Sequence, residues 1–223
     1  MEARTVSTTT GVRFSPVSID KMLRNTYALL ASSLLFSAIT AAISLAFNMP
    51  HPGLIITLAA YFGLLFLTNK YQNSAWGLLC VFALTGFMGL SLGPILSAYL
   101  SLPGGGQIVM TAMGFTSLIF FSLSAYVLTT RKDFSFMASF LFIGILVMFF
   151  AGLGAYFFKL PALSLAVSAG FVLLMSGLIL YETSNIIHGG ERNYIMATVT
   201  LYVAIFNLFT SLLHLIGFMS GDD

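Results

Sequence analysis

The fold is decided by one stretch of sequence, from Tyr71 to Thr130: YQNSAWGLLCVFALTGFMGLSLGPILSAYLSLPGGGQIVMTAMGFTSLIFFSLSAYVLTT. It contains no Asp, Glu, Lys or Arg, and a second such run extends from Asn25 to Asn69. Charged residues make up 7% of the 223 residues, and the mean hydropathy is +0.99. Ordinary globular domains carry about 25% charged residues. Most of this chain is therefore predicted to lie in lipid, as a polytopic membrane protein.

Clusters of Pro, Gly and charged residues divide the apolar sequence into seven segments. A lipid-exposed backbone must satisfy its hydrogen bonds internally, and the segments lack the alternation of a membrane β-barrel, so all seven are predicted to be helices. The fold class is all-α, with seven transmembrane helices and very short connections. The predicted segments are Tyr27–Phe47, Leu54–Thr68, Trp76–Leu100, Gln107–Leu128, Phe136–Phe158, Ala162–Tyr181 and Tyr194–Met219.

The distribution of basic residues predicts the orientation. With the amino terminus in the cytoplasm, that side collects eight of the nine Lys and Arg residues, and Lys159 alone lies on the other side. The carboxyl terminus, which ends at Asp223, then faces the periplasm. The eight cytoplasmic residues are Arg4, Arg13, Lys21, Arg24, Lys70, Arg131, Lys132 and Arg192.

Three regions follow from this pattern: a cytoplasmic polar tail at 1–24, a membrane domain at 25–219 and a short outer tail at 220–223. The first apolar segment is too long for a cleaved signal peptide and is predicted to be an uncleaved anchor. The tail from Met1 to Asp20 is predicted to be disordered. The single cysteine, Cys80, excludes an intramolecular disulfide and is interpreted as a packing residue.

Glu182 is the most informative acidic residue, because it directly follows an apolar run near a predicted membrane boundary. An ionised carboxylate is costly there unless it is paired or hydrated. Two interpretations stay open: a proton- or cation-sensing group, or an interfacial residue paired with Arg192. Ser164 and Ser168 share a helix face with Glu182, and that face either lines a polar interior or packs against another helix.

The last segment carries a second polar stripe, formed by Asn207, Ser211 and His214 at spacings of four and three residues. Asn207 and Ser211 are interpreted mainly as groups that hold helices together, whereas His214 either titrates or lies at the interface. Together with Glu182 and Arg192, Asn207 and His214 form the set of candidate proton- or cation-sensing residues. No set of His, Cys or acidic residues has metal-ligand spacing, so no metal site and no cofactor are predicted.

The sequence around Ser91, GLSLG, matches the G-x-S-x-G pattern of a hydrolase nucleophile, which requires a strand-to-helix turn. Here it lies in a predicted helix, and an intramembrane serine protease using Ser91 and His214 is a minor alternative. A retinal protein is disfavoured because the seventh segment lacks lysine. Gly86, Gly89, Gly93 and Pro94 are interpreted as a kinked, close-packed helix segment. The protein is not predicted to be an enzyme.

Several blocks of sequence resemble the signatures of the Bax inhibitor-1 family, also called the transmembrane Bax inhibitor motif proteins. The blocks occur in order over nearly all seven segments. They are GFMGLSLGPILSAY at Gly86–Tyr99, TTRKDFS at Thr129–Ser135, YETSNIIHGGERN at Tyr181–Asn193 and LYVAIFNLF at Leu201–Phe209.

The resemblance implies a fold in which six helices surround a central seventh. For some family members it also implies a pH-sensitive calcium leak controlled by two buried aspartates. The first aspartate position falls on Glu182, which keeps the carboxylate, and the second falls on Ala204, which does not. A pair of carboxylates sharing one proton therefore cannot form at these two positions.

The resemblance is strongest to a bacterial inner-membrane member of the family, through MLRNTY at 22–27, SAYVLTTRK at 124–132 and ETSNIIHGGE at 182–191. It implies that the partner is FtsH, a membrane-anchored ATP-dependent protease that the chain binds and modulates, by inhibition or by competition. The polar tail, with its uncharged start Thr5–Gly11, would give the protease an exposed handle. The alternative function is a pH-sensitive calcium or cation leak.

Overall fold

The computed structural model describes residues 16–220, with side chains from residue 19 onward. Over this range the protein consists of seven long helices and one short 3-10 turn, Ser135–Met137, and contains no strand. The prediction of an all-α protein with seven spans is confirmed, because all seven helices are long and apolar enough to cross a membrane. The helices are α1 Pro16–Ala46, α2 Leu54–Tyr71, α3 Ala75–Leu100, α4 Gly105–Thr130, α5 Ala138–Phe157, α6 Pro161–Ile187 and α7 Tyr194–Ser220.

Two helices extend beyond their predicted ends into polar sequence: α1 at its start and α6 at its end. α1 begins at Pro16, so the predicted disorder up to Asp20 is wrong for residues 16–20, and the rest of the tail lies outside the described residues. Proline suits the first turn of a helix because its missing N–H would have no partner there. The sixth segment was predicted to end at Tyr181, but α6 continues through Ile187.

Helix α7 packs against α1, α2, α3, α4 and α6. Helix α5 packs against α6 and the short turn before it, and it touches α2 through the rings of Phe149 and Phe62. The arrangement of six helices around a central seventh therefore stays a prediction. The side chain of Tyr202, in the first half of α7, is 1% exposed and belongs to the main apolar core. Large apolar side chains on α2 and α5 point outward, as expected for surfaces that face lipid.

The loops on the two sides of the bundle define its two ends. We call the end with loops 72–74, 131–134 and 188–193 the basic end, because Lys70, Arg131, Lys132 and Arg192 lie at or beside these loops. The opposite end carries loops 47–53, 101–104 and 158–160.

Candidate functional site

At the basic end, Asn193 connects the loop before α7 to the loop between α2 and α3 by hydrogen bonds. Its Nδ2 donates to the Gln72 carbonyl and to Asn73 Oδ1, both at 3.0 Å. Its Oδ1 accepts from the backbone N–H groups of Ile195 and Met196, which caps the start of α7. One side chain therefore fixes three helix ends relative to one another.

Ser184 makes a second connection at the basic end. Its hydroxyl donates to the Lys132 carbonyl at 3.2 Å and accepts from the Phe134 N–H at 2.9 Å, so it holds the α4–α5 loop against α6. Within that loop, the Ser135 N–H donates to Asp133 at 2.8 Å. This hydrogen bond lowers the pKa of the exposed Asp133 carboxyl below its usual value.

Glu182 lies one turn inside the basic end of α6, and its side chain is 4% exposed. Its Oε1 has no hydrogen-bond partner among the described residues, and the Asn185 side chain and the Glu191 carboxylate lie near the carboxyl group. Arg192 lies in the loop beyond α6, where its backbone N–H donates to Glu191 at 2.7 Å. The pairing of Glu182 with Arg192 stays a prediction.

Other buried polar atoms accompany Glu182 at the basic end. Helices α1, α4 and α6 each place hydroxyl groups there that have no hydrogen-bond partner within the described residues. Sequence reasoning missed this group, because hydroxyl residues are common in membrane helices and their burial is set by tertiary packing. The hydroxyls are those of Thr26, Tyr27, Ser124 and Thr183.

The two polar stripes predicted on the sixth and seventh segments meet at the opposite end. Ser168 Oγ lies 2.8 Å from His214 Nδ1, and Ser168 also donates to the Ser164 carbonyl at 3.1 Å. Ser168 and Glu182 are separated along α6 by about 21 Å at 1.5 Å per residue. The α6 face that was predicted to carry Ser164, Ser168 and Glu182 therefore contains two separate polar sites, one at Ser168 and one at Glu182. The pairing of Ser168 with His214 could not be predicted without knowing that α6 and α7 are packed neighbours.

On α7, Asn207 and Ser211 lie between the level of Glu182 and that of the contact between Ser168 and His214. Asn207 Nδ2 donates to the Val203 carbonyl of its own helix at 2.8 Å, and Ser211 is buried.

Ser91, in the G-x-S-x-G sequence, lies inside α3 and donates to the Phe87 carbonyl of its own helix at 3.0 Å. Its surroundings differ from the strained strand-to-helix turn of a hydrolase nucleophile.

The structure places three glycines of α3 directly against α1. A Cβ at Gly89 would overlap the Ser37 carbonyl oxygen, and a Cβ at Gly93 would overlap the Ser44 side chain. A Cβ at Gly86 would lie 2.6 Å from a phenylalanine ring of α1. The absence of three side chains lets the two backbones approach closely, as small residues do in membrane helices.

Pro94 lies inside α3 and has no N–H to donate to the Leu90 carbonyl one turn earlier. The Ser44 hydroxyl of α1 donates to that carbonyl at 2.8 Å. The hydrogen-bond donor that the Leu90 carbonyl lacks within α3 is therefore supplied by α1, next to the contact of α1 with the three glycines.

We expect Ser44→Ala to destabilise the folded protein by about 1–2 kcal/mol, because it leaves the Leu90 carbonyl without its partner. Ser32→Ala is the matched control, since the exposed Ser32 hydroxyl bonds only within its own helix. Unfolding by SDS in mixed micelles measures the difference. Equal stability of the two variants would show that the interhelical bond contributes nothing.

The comparisons with known proteins identify the family of the chain. The family described as inhibitor of apoptosis-promoting Bax1 matches residues 19–221. The chain belongs to this family, which confirms the resemblance drawn from the sequence blocks. It is a multi-pass membrane protein with seven spanning helices.

Individual relatives cover nearly the whole chain. It is 55% identical over 210 residues to the protein named modulator of FtsH protease YccA of Escherichia coli K12, covering 94% of this chain and 95% of that protein. The same values hold for the inner membrane protein YccA of Escherichia coli O6:H1. An uncharacterized protein of Pseudomonas aeruginosa is 56% identical over 205 residues, 92% of each chain.

Proposed function

We propose that this protein is a non-enzymatic modulator of FtsH in the bacterial inner membrane, which binds the protease and inhibits it or competes for it. The observation that carries the proposal is the 55% identity to the Escherichia coli protein with that name, across nearly all of both chains. Seven membrane helices with short loops are compatible with a partner that is itself anchored in the membrane.

Affinity purification from cells tests the binding step. The tagged full-length chain, extracted in mild detergent, should copurify with a proteolytically inactive FtsH variant. A second seven-helix membrane protein expressed at the same level is the control. Recovery of equal amounts of FtsH with both proteins would contradict specific binding.

The orientation belongs to the same proposal, with the basic end in the cytoplasm. Lys70, Arg131, Lys132 and Arg192 lie at this end, and Lys159 lies in a loop at the other. Reporter fusions should place Met1 in the cytoplasm and Asp223 in the periplasm, although both residues lie outside the described range. A cytoplasmic carboxyl terminus would mean that one of the seven helices does not span the membrane.

A pH-sensitive calcium leak is the second candidate function, and the buried Glu182 with its unpartnered Oε1 is the observation that favours it. Ala204 argues against it, because this fully buried position on α7 offers no second carboxylate. A single carboxylate lacks the steep response of two groups that share a proton.

We therefore expect little calcium flux near neutral pH from the unmodified protein in liposomes. Ala204→Asp should introduce a pH-dependent flux, and the double variant Glu182→Gln/Ala204→Asp should lose it again, because it keeps the new acid without the pair. Strong flux through the unmodified protein that Glu182→Gln abolishes would make the leak the primary function.

A further inference from the structure

Helices α1 and α4 are separated by a gap on one side of the bundle. α1 packs against α3, α6 and α7, and α4 packs against α3, α6 and α7, but the backbones of α1 and α4 do not come close to each other. The two helices touch through the rings of Tyr27 and Phe120, whose centroids are 6.2 Å apart, and the gap lies beyond this contact, toward the opposite end. The gap contains a cavity of about 420 Å³. Residues of α7, among them Phe206 and Phe209, form its floor. Its volume is within the range of about 300–1,000 Å³ found for small-molecule pockets.

The position of α1 explains why the gap stays open. Gly86, Gly89 and Gly93 draw α1 against α3, and the Ser44 hydrogen bond to α3 holds it there. Close approach to α3 keeps the backbone of α1 away from that of α4 in this half of the bundle. Four of the six α1 residues that line the gap are also short, and only Leu34 and Leu45 are larger. The short residues are Ser37, Ala38, Ala41 and Ala42.

The chemistry of the cavity wall favours hydrocarbon over water. Most lining residues are apolar, and the buried hydroxyls already have partners. Ser37 and Tyr202 bond each other at 2.7 Å, and Thr116 donates to the Ala112 carbonyl at 2.7 Å. None of the buried unpartnered side chains in the described part of the protein lines this cavity. Water needs several polar partners to occupy a cavity, and apolar cavities take apolar ligands.

The cavity is continuous with the surface that faces lipid. Ala38 and Ala42 on α1, and Ser117 on α4, are exposed at its rim, and Met113 on α4 is 56% exposed there. Both helices cross the membrane, so the medium outside the gap is the hydrocarbon of the bilayer. The lining segments of α1 and α4 lie in the half of the bundle nearer the opposite end.

We propose that the gap between α1 and α4 binds one acyl chain of a membrane phospholipid, from the leaflet at the opposite end. An acyl chain is the apolar molecule available at this opening, because both helices cross the bilayer. A flexible hydrocarbon chain fits a narrow apolar gap and restores the dispersion contacts that an empty one lacks.

Photocrosslinking tests the proposal with the full-length protein in vesicles of phosphatidylethanolamine and phosphatidylglycerol. The probe is phosphatidylethanolamine with a diazirine in its acyl chain. We expect labelling of the α7 floor around Phe206 and Phe209, in addition to the outward faces that any lipid reaches. Ala42→Phe on α1 and, independently, Ser117→Phe on α4 should fill the gap and reduce floor labelling severalfold.

The matched control is Ile39→Phe, which adds a ring on α1 where the side chain is exposed and does not line the cavity. It should leave floor labelling unchanged, and labelling of the exposed face of α5 reports equal reconstitution of all variants. Two results would overturn the proposal: an unlabelled floor in the unmodified protein, or unchanged floor labelling in both filled variants.

Discussion

Adding one methyl group at Gly89 should destabilise the folded protein by about 1–3 kcal/mol, the usual cost of overpacking a well-packed interior. The new Cβ of Gly89→Ala would overlap the Ser37 carbonyl oxygen. Because that atom belongs to the backbone, no side-chain rotation relieves the overlap, and α1 must move away from α3. Such movement would also stretch the bond between Ser44 and Leu90.

Gly63→Ala is the matched control, since a Cβ at this position of α2 would have no atom within 4 Å. Alanine is the better helix former, so the control should unfold at the same SDS concentration as the unmodified protein or a higher one. If Gly89→Ala unfolds together with Gly63→Ala, the close contact between α1 and α3 does not hold the bundle together.

Removing residues 2–15 should lengthen the lifetime of the protein several-fold in cells that contain FtsH. This prediction depends on the proposed function, in which an energy-dependent protease must first engage an exposed segment. The deletion ends before Pro16, where the first described helix begins, so it removes no residue of the seven described helices. We expect the membrane domain to fold as before, and its unfolding by SDS checks this.

A pulse-chase experiment measures this lifetime, and cells lacking FtsH supply the control in which both forms should decay equally slowly. A tail of the same length and composition in scrambled order should restore rapid turnover, because the handle is expected to act through its exposure. Unchanged turnover of the shortened protein would remove the handle hypothesis.

The helix count could be predicted from sequence because charge-free apolar runs are separated by Pro, Gly and charged clusters. The end of α6 could not be predicted in the same way. The sequence Tyr181-Glu182-Thr183-Ser184-Asn185 has the composition of a loop, yet Glu182, Thr183 and Ser184 are buried against other helices. Hydropathy reports the average preference of a residue and not its neighbours in the fold.

The polar connections between helices show the same limit of local patterns. Because Pro94 has no N–H, the sequence shows that the Leu90 carbonyl lacks its hydrogen bond within the helix. Only the packing of α1 on α3 identifies Ser44 as the donor that replaces it. The stripes containing Ser168 and His214 were each visible in the sequence, whereas their hydrogen bond depends on how α6 and α7 pack together. The contacts of Asn193 with the α2–α3 loop likewise join residues far apart in the chain.

The central claim, that this protein modulates FtsH, is tested most directly by reconstitution. Purified FtsH is placed in liposomes with a membrane substrate and ATP, and the rate of substrate degradation is measured as increasing amounts of this protein are added. An unrelated seven-helix protein at the same ratios controls for crowding in the membrane. We predict that degradation slows progressively with this protein and not with the control. An unchanged rate in the presence of the folded, correctly inserted protein would contradict the account.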